Sequence, residues 1–444
     1  MLRITVYTFI FIAMVAIAGA VLAILAYTKD VPNKSAARDG VETQSIGVEG
    51  VPGPRGDEGT EFYPDLWFRA TQVEQLRGKV GINSGQGVCT SSHDGNVIVV
   101  GGSNYDSGKG AVWIFRKSGH IWLEETFISA VDMDGPSNFG SSCAFSMDST
   151  VLAIGAPSNE SGKGAVWIYV FQNNRWIHFQ KIIAPYTVGF SNQGYSVDLN
   201  ENGDTLVIGA PMDDGGKGAV WIYKVYNSKY DFVRKLVEIK GGNGNLGHSV
   251  AVSNSGLMIS ASGPKFYSEK GSVFTWRFVE GQNVWLEDGG SIIGDVVGGH
   301  FGTSIAIDGT GETLVIGCPN DTCFNVPNQG SVSVYKRKDE LWKNWTKLTG
   351  LNSVDSNIGY SVSVTNDGDV ICAGGPAFNS NVGAFWIFGL YPDGNWRQVS
   401  QEFIPSGRSN ASKIGGRGQI SISGNGETLC VGSVENNCVW VFRK

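Results

Sequence analysis

The sequence predicts an all-β fold: a seven-bladed β-propeller of four-stranded antiparallel blades, closed by an N-terminal strand. Two in-phase repeats carry that expectation. The hexapeptide KGAVWI occurs at 109–114, 163–168 and 217–222, a period of 54 residues. Weaker copies follow at Gly271 (GSVFTW), Gly330 (GSVSVY), Gly383 (GAFWIF) and Cys438 (CVWVFRK), which makes seven. The second series reads GGS at Gly101, GAP at Gly155 and Gly209, SGP at Ser262, GCP at Gly317, GGP at Gly374 and GSV at Gly432. A fixed period of this length means one supersecondary unit stacked repeatedly.

Each unit contains four segments of strand character separated by turn residues. In the second unit they read SSCAFS from Ser141, VLAIGA from Val151, GAVWIYVF from Gly164 and RWIHFQKI from Arg175. Pairs such as Asp94-Gly95, Asn202-Gly203, Asp367-Gly368 and Asn425-Gly426 join the first two segments and supply the positive φ that tight hairpins need. Four antiparallel strands, repeated seven times, describe sheets stacked radially around a channel. No 3.6-residue period follows residue 60, which disfavours a helical solenoid, and no WD or kelch-type signature recurs. The seventh unit lacks a fourth segment of its own. The stretch DLWFRATQV at 65–73, whose Trp67 is matched to Trp122, Trp176, Trp285 and Trp396, is expected to add beside residues 439–442. That closure removes two exposed sheet edges.

The phrases FGSS at Phe139, LGHSVAV at Leu246, HFGTSIAI at His300 and IGYSVSV at Ile358, each followed by TLVIGAP-like text, resemble FG-GAP repeats over residues 63–444. The resemblance implies a propeller similar to the head of integrin α-subunits. Some blades of that family carry a calcium loop of DxDxDG type between the first two strands. The matching turns here, among them SSHDGN, NENGD and DGTGE, hold too few carboxylates for a six- to eight-oxygen cage. No metal or other cofactor is therefore expected.

Ahead of the propeller, three segments are distinguished: a short tail at 1–3, a transmembrane anchor at 4–27, and a linker or stalk at 28–62. Residues 4–27 form an apolar run of 24 without a charge. At about 1.5 Å per residue it exceeds a ~30 Å hydrocarbon core, and it is longer than the roughly 7–15 apolar residues of a secretory signal. The positive-inside rule, weighing Arg3 against Lys29, Lys34 and Arg38, points the propeller inward. The family resemblance points it outward, to an extracellular, lumenal or virion surface, and that orientation is the one expected. Residues 47–61 read as five Gly-x-y triplets and resemble collagen, which implies a homotrimeric stalk; an extended Gly/Pro-rich spacer is the simpler reading. Arg55-Gly56-Asp57 falls inside this text and carries little weight.

With Lys+Arg 34 against Asp+Glu 41 and a net charge of -7, the chain lacks the basic footprint of a nucleic-acid partner. Five scattered histidines give no metal spacing, and no GxSxG elbow or sialidase-type box is present, so catalysis is not expected. The recurrent Trp113, Trp167, Trp221, Trp386 and Trp440 read as packing between sheets rather than as a sugar platform. Binding is expected on the rim that gathers loops 130–138, 240–245, 293–299 and 406–416. Candidate rim residues are Lys109, Lys163, Lys217 and Lys270, each close to an acid that would neutralise it, and His248 and His300, which border FG-type turns. Cys318 with Cys323, and Cys430 with Cys438, are candidate disulfides in an oxidising compartment. Asn159, Asn320, Asn344 and Asn410 begin glycosylation sequons. Together these features predict a membrane-anchored, non-catalytic surface recognition, adhesion or structural protein with a protein or glycan ligand. A glycan-binding lectin is the first alternative, and a hydrolase with an unrecognised site is the second.

Overall fold

The four segments read in the second unit become the strands Ser142–Phe145, Val151–Ala156, Ala165–Gln172 and Arg175–Ile182, paired in that order. A computed structural model describes residues 71–76, 89–91 and 93–444, apart from 131, 239–241, 324, 325, 327, 352 and 434. In it seven antiparallel sheets form the blades of a propeller. Blade 4 carries a fifth short strand, Ile292–Ile293, on its third strand.

The apolar pattern explains the layering. Second strands such as Val97–Gly102, Thr205–Ala210 and Val370–Gly375 are buried along their whole length, because each lies inside its sheet and is covered on both faces. They read as continuous apolar runs. Fourth strands such as Arg175–Ile182 are mostly exposed or half-buried and border solvent. Each of the seven apolar clusters spans one junction between neighbouring blades, as when Val99 and Ile114 of blade 1 meet Trp167 of blade 2. Trp113, Trp167, Trp221, Trp386 and Trp440 are all fully buried. Burying 150–250 Å² apiece contributes roughly 4–6 kcal/mol each at about 25 cal/mol per Å², an amount that accounts for their recurrence without a ligand.

The two repeated phrases meet at these junctions. On five second strands the GAP-type glycine lies against the carbonyl of the next blade's FG-type glycine: Gly101 on Gly140, Gly155 on Gly194, Gly209 on Gly247, Gly317 on Gly359 and Gly374 on Gly415. A methyl group on the first of each pair would overlap that oxygen. Just outside, the residue before the FG-type glycine donates its N–H to the residue before the KG-type glycine. Phe139 donates to Lys109 at 3.0 Å, Gln193 to Lys163 at 2.9 Å, Leu246 to Lys217 at 3.0 Å and Phe301 to Lys270 at 3.0 Å. Gly110, at φ +88°, has no space for a side chain beside Phe139. On the opposite face the hairpin turns form a second belt, with Glu201 donating to Asn254, Asn254 to Gly309, Gly309 to Asn366 and Asn366 to Gly424.

Strand Thr71–Leu76 pairs antiparallel with Cys438–Arg443 and completes blade 7. The closure expected from sequence is present, but its register lies further along the chain. Leu76 pairs with Val439 as Ile128 pairs with Val112 and Ile182 with Val166. This alignment places Ala70, not Trp67, at the position of Trp122; residues 61–70 lie outside the described region. Buried Leu76 sets the register, and Glu74 Oε2 accepts the Trp122 N–H at 3.0 Å, tying blade 7 to blade 1. Among the described residues no helix is long and apolar enough to cross a membrane. The expected span at 4–27 and the stalk at 28–62 lie outside them.

Gly155→Ala is expected to cost about 1–3 kcal/mol or more in chemical denaturation, the range for overpacking a tight contact. Gly281→Ala, where an added methyl meets nothing within 4 Å, is the control and should stay within about 0.5 kcal/mol of wild type.

Candidate functional site at the channel mouth

The residue following each FG-type glycine turns into the channel where it opens on the loop face. Ser141, Tyr195, His248, Thr303 and Tyr360 occupy this position in blades 2 to 6. In blade 7 four residues rather than one separate Gly415 from the first strand at Ile420, and they include Arg417. All three cavities of this region, of about 190, 430 and 310 Å³, are lined in part by Tyr195 and Arg417. The Arg417 guanidinium stacks on the Tyr195 ring, 3.4 Å from its centre, and Nη2 donates to the Tyr195 carbonyl at 2.8 Å.

His248 lies beside them. Its Nδ1 is 3.0 Å from the Thr303 carbonyl, and its Nε2 is 3.3 Å from the Tyr195 hydroxyl. Burial and the nearby Arg417 charge push its pKa down to about 3, so the imidazole is neutral at ordinary pH. His300 borders the same 430 Å³ cavity, with Nε2 3.6 Å from Glu269 and Nδ1 2.9 Å from the Asn320 amide nitrogen. The two histidines suggested by sequence therefore share one cavity. Arg417, Tyr195 and Tyr360 were not singled out from sequence, although Tyr195 and Tyr360 directly follow FG-type glycines.

Below the mouth, the first strands begin with Ser142, Ser196, Ser249, Ser304 and Ser361. Three of these hydroxyls donate to the next blade, Ser142 to Gly194 at 2.8 Å, Ser196 to Gly247 at 2.9 Å and Ser304 to Gly359 at 2.9 Å. Two accept from it, Ser249 from Ile305 N–H and Ser361 from Ile420 N–H. The serines thus join neighbouring blades. Asp198 follows the same scheme, with Oδ2 accepting the Val252 N–H at 2.8 Å and Oδ1 the Leu199 N–H at 2.9 Å. Burial pushes its pKa up to about 7 against the pull of those two donors.

The rim lysines are held by their neighbours. Lys109 pairs with Asp106 at 2.7 Å, Lys163 with Glu160 at 3.6 Å and Lys217 with Asp214 at 2.7 Å, all half-exposed contacts of about 0–1 kcal/mol. At Lys270 the adjacent Glu269 faces His300 instead. What the repeats require of these positions is the backbone carbonyl described above.

Of the disulfides considered from sequence, the first is not formed, since Cys318 and Cys323 are buried free thiols. Register separates the second pair, since Cys430 lies opposite Val441 and Cys438 opposite Ser433. Cys318 donates to the Gly299 carbonyl at 3.1 Å, and Cys323 Sγ lies 3.6 Å from Asp321 Oδ2. Burial raises both thiols, Cys323 to about 11. Of the sequons, Asn344 and Asn410 are exposed and Asn320 is half-buried at the mouth. Asn159 is fully buried, its Oδ1 accepting from Ser137 and from the Asp134 N–H, so the folded chain has no room for a glycan there. Among the described residues no group of three His, Cys, Asp or Glu is placed to hold a metal ion. Turn carboxylates serve their own backbone, as when Asp148 accepts the Thr150 N–H at 3.0 Å. No family model matches the chain.

Asp198 provides a test of the channel wall. The folded chain keeps a proton that the unfolded chain loses near pH 3.8, so the contribution of this group to stability falls as pH rises from about 4 to 7. Asp198→Ser keeps an acceptor for Val252, as Ser363 provides for Ile422, and removes the titration. The stability of the variant relative to wild type should increase across that window and level off above it. A difference that is constant from pH 4 to 8 would contradict the assignment.

Proposed function

We propose that this chain is a non-catalytic recognition propeller of FG-GAP type, anchored in a membrane by residues 4–27 and held off it by the stalk at 28–62. The rim loops meet a protein partner at a cell, organelle or virion surface. The observation that carries this reading is the set of large apolar side chains left exposed on blade-joining loops of one face. Tyr186 is 73 % exposed and Phe190 71 %, followed around the ring by Val297, Leu351 and Val354. A connecting loop has no structural need to present such groups to water, and loops fixed on a rigid ring are common sites of recognition. The same face carries the channel mouth. The family assignment rests on the FG-type and GAP-type phrases and on their meeting across five blade junctions. The membrane placement rests on the 24-residue apolar run alone.

The full-length chain, displayed on cells that express it, tests the proposal by proximity labelling of surface neighbours. A Phe190→Ser/Leu351→Ser variant is expected to lose the principal labelled partner at unchanged surface abundance. Ile177→Ser/Leu341→Ser, on exposed outer strands, should retain it. Identical labelling by both variants, or labelling confined to the cytosolic side, would refute the reading.

A further inference from the structure

We propose that the channel mouth is an oxyanion-binding site, anchored by the Arg417 guanidinium, for a small ligand bearing a carboxylate, sulfate or phosphate group. Arg417 reaches across the channel from the lengthened turn of blade 7 and is fixed by stacking on Tyr195 of blade 3. One of its five N–H donors is used by the Tyr195 carbonyl. These contacts immobilise the planar fork without neutralising it. Among the described residues no carboxylate is paired with Arg417, and no Asp or Glu lines any of the three cavities it borders. Lys265 adds a basic group to the 430 Å³ cavity, which His300, facing Glu269, also borders. A chain of net charge -7 therefore keeps, at the channel mouth, cavities whose lining holds an arginine and no carboxylate.

The chemistry follows from that arrangement. Burial disfavours the guanidinium charge, and a bound anion restores the favourable interaction that water no longer supplies. The fixed fork matches two oxygens of a carboxylate, sulfate or phosphate. Low-dielectric walls concentrate the positive potential at the mouth. Pro211, Met212, Pro264 and Pro319 form an apolar wall, and 430 Å³ suits a body of monosaccharide size. The inference deepens the recognition role above, since the cavity opens on the same face, but its test needs no macromolecular partner and can fail independently of the loop variants.

Isothermal titration calorimetry of the full-length chain in detergent, with inorganic phosphate, inorganic sulfate, glucuronate and glucose as titrants, decides the matter. At least one anion is expected to bind, and glucose is not. Arg417→Gln should weaken anion binding by about tenfold or more, as loss of charge-assisted hydrogen bonds implies. Glucuronate binding more tightly than the inorganic ions would identify an acidic sugar as the source of the anion; the reverse order would identify a free ion. Both orders support the site. Absence of binding by all three anions, or unchanged affinity in folded Arg417→Gln, would overturn it. If Arg417→Gln does not fold, Lys265→Gln/His300→Gln takes its place; it should weaken binding about threefold or more, and unchanged affinity in that variant overturns the proposal.

Discussion

Five of the seven junctions depend on one close approach: the backbone of a glycine in one blade against the carbonyl of a glycine in the next. At these five described junctions, which have both glycines, there is no volume for even a methyl group between them. Because the backbones meet directly, the flanking N–H groups find partners across the junction, from Phe139 to Lys109 and from Leu246 to Lys217. The buried tryptophans then fill the wider space further out. The serines at the channel wall make the same connection from the inside. Each junction is thus bonded at its inner edge and filled by apolar packing outside it, and neither blade face is complete alone.

Junctions differ in how they reach this end. Between blades 4 and 5 the second-strand residue is Ser262 rather than glycine, and Phe274 and Ser333 take the position that tryptophan holds in the other five blades. Polar contacts compensate. Asp288 accepts two N–H groups of Arg337 at 2.8 and 2.9 Å, and Trp342 Nε1 donates to Thr275 at 2.9 Å. The weaker copies of the repeat in blades 4 and 5 are therefore a local change of chemistry within the same geometry.

Strand positions were legible because the repeat shows each element several times. Val151–Ala156 and Arg175–Ile182 follow the segments read from the sequence residue for residue. The closing strand was harder, since matching Trp67 to other tryptophans gave a register that buried Leu76 and its pairing with Val439 replace. Cysteines close in sequence suggested disulfides, but pairing register, which sequence spacing does not reveal, places Cys430 and Cys438 opposite other residues. At the mouth, His248 and His300 were visible through their FG-type turns. Arg417 was not, because its turn departs from the repeat, and its partner Tyr195 lies 222 residues away.

The central claim is that blades are stable only as a closed circle, with the N-terminal strand as the last member of blade 7. Hydrogen exchange on a chain lacking residues 71–76 tests it most directly. Loss of protection should spread beyond Cys438–Arg443 into blades 1 and 6, since each shares an apolar cluster with blade 7. Protection lost in Cys438–Arg443 alone, with both neighbouring blades unchanged, would contradict the account.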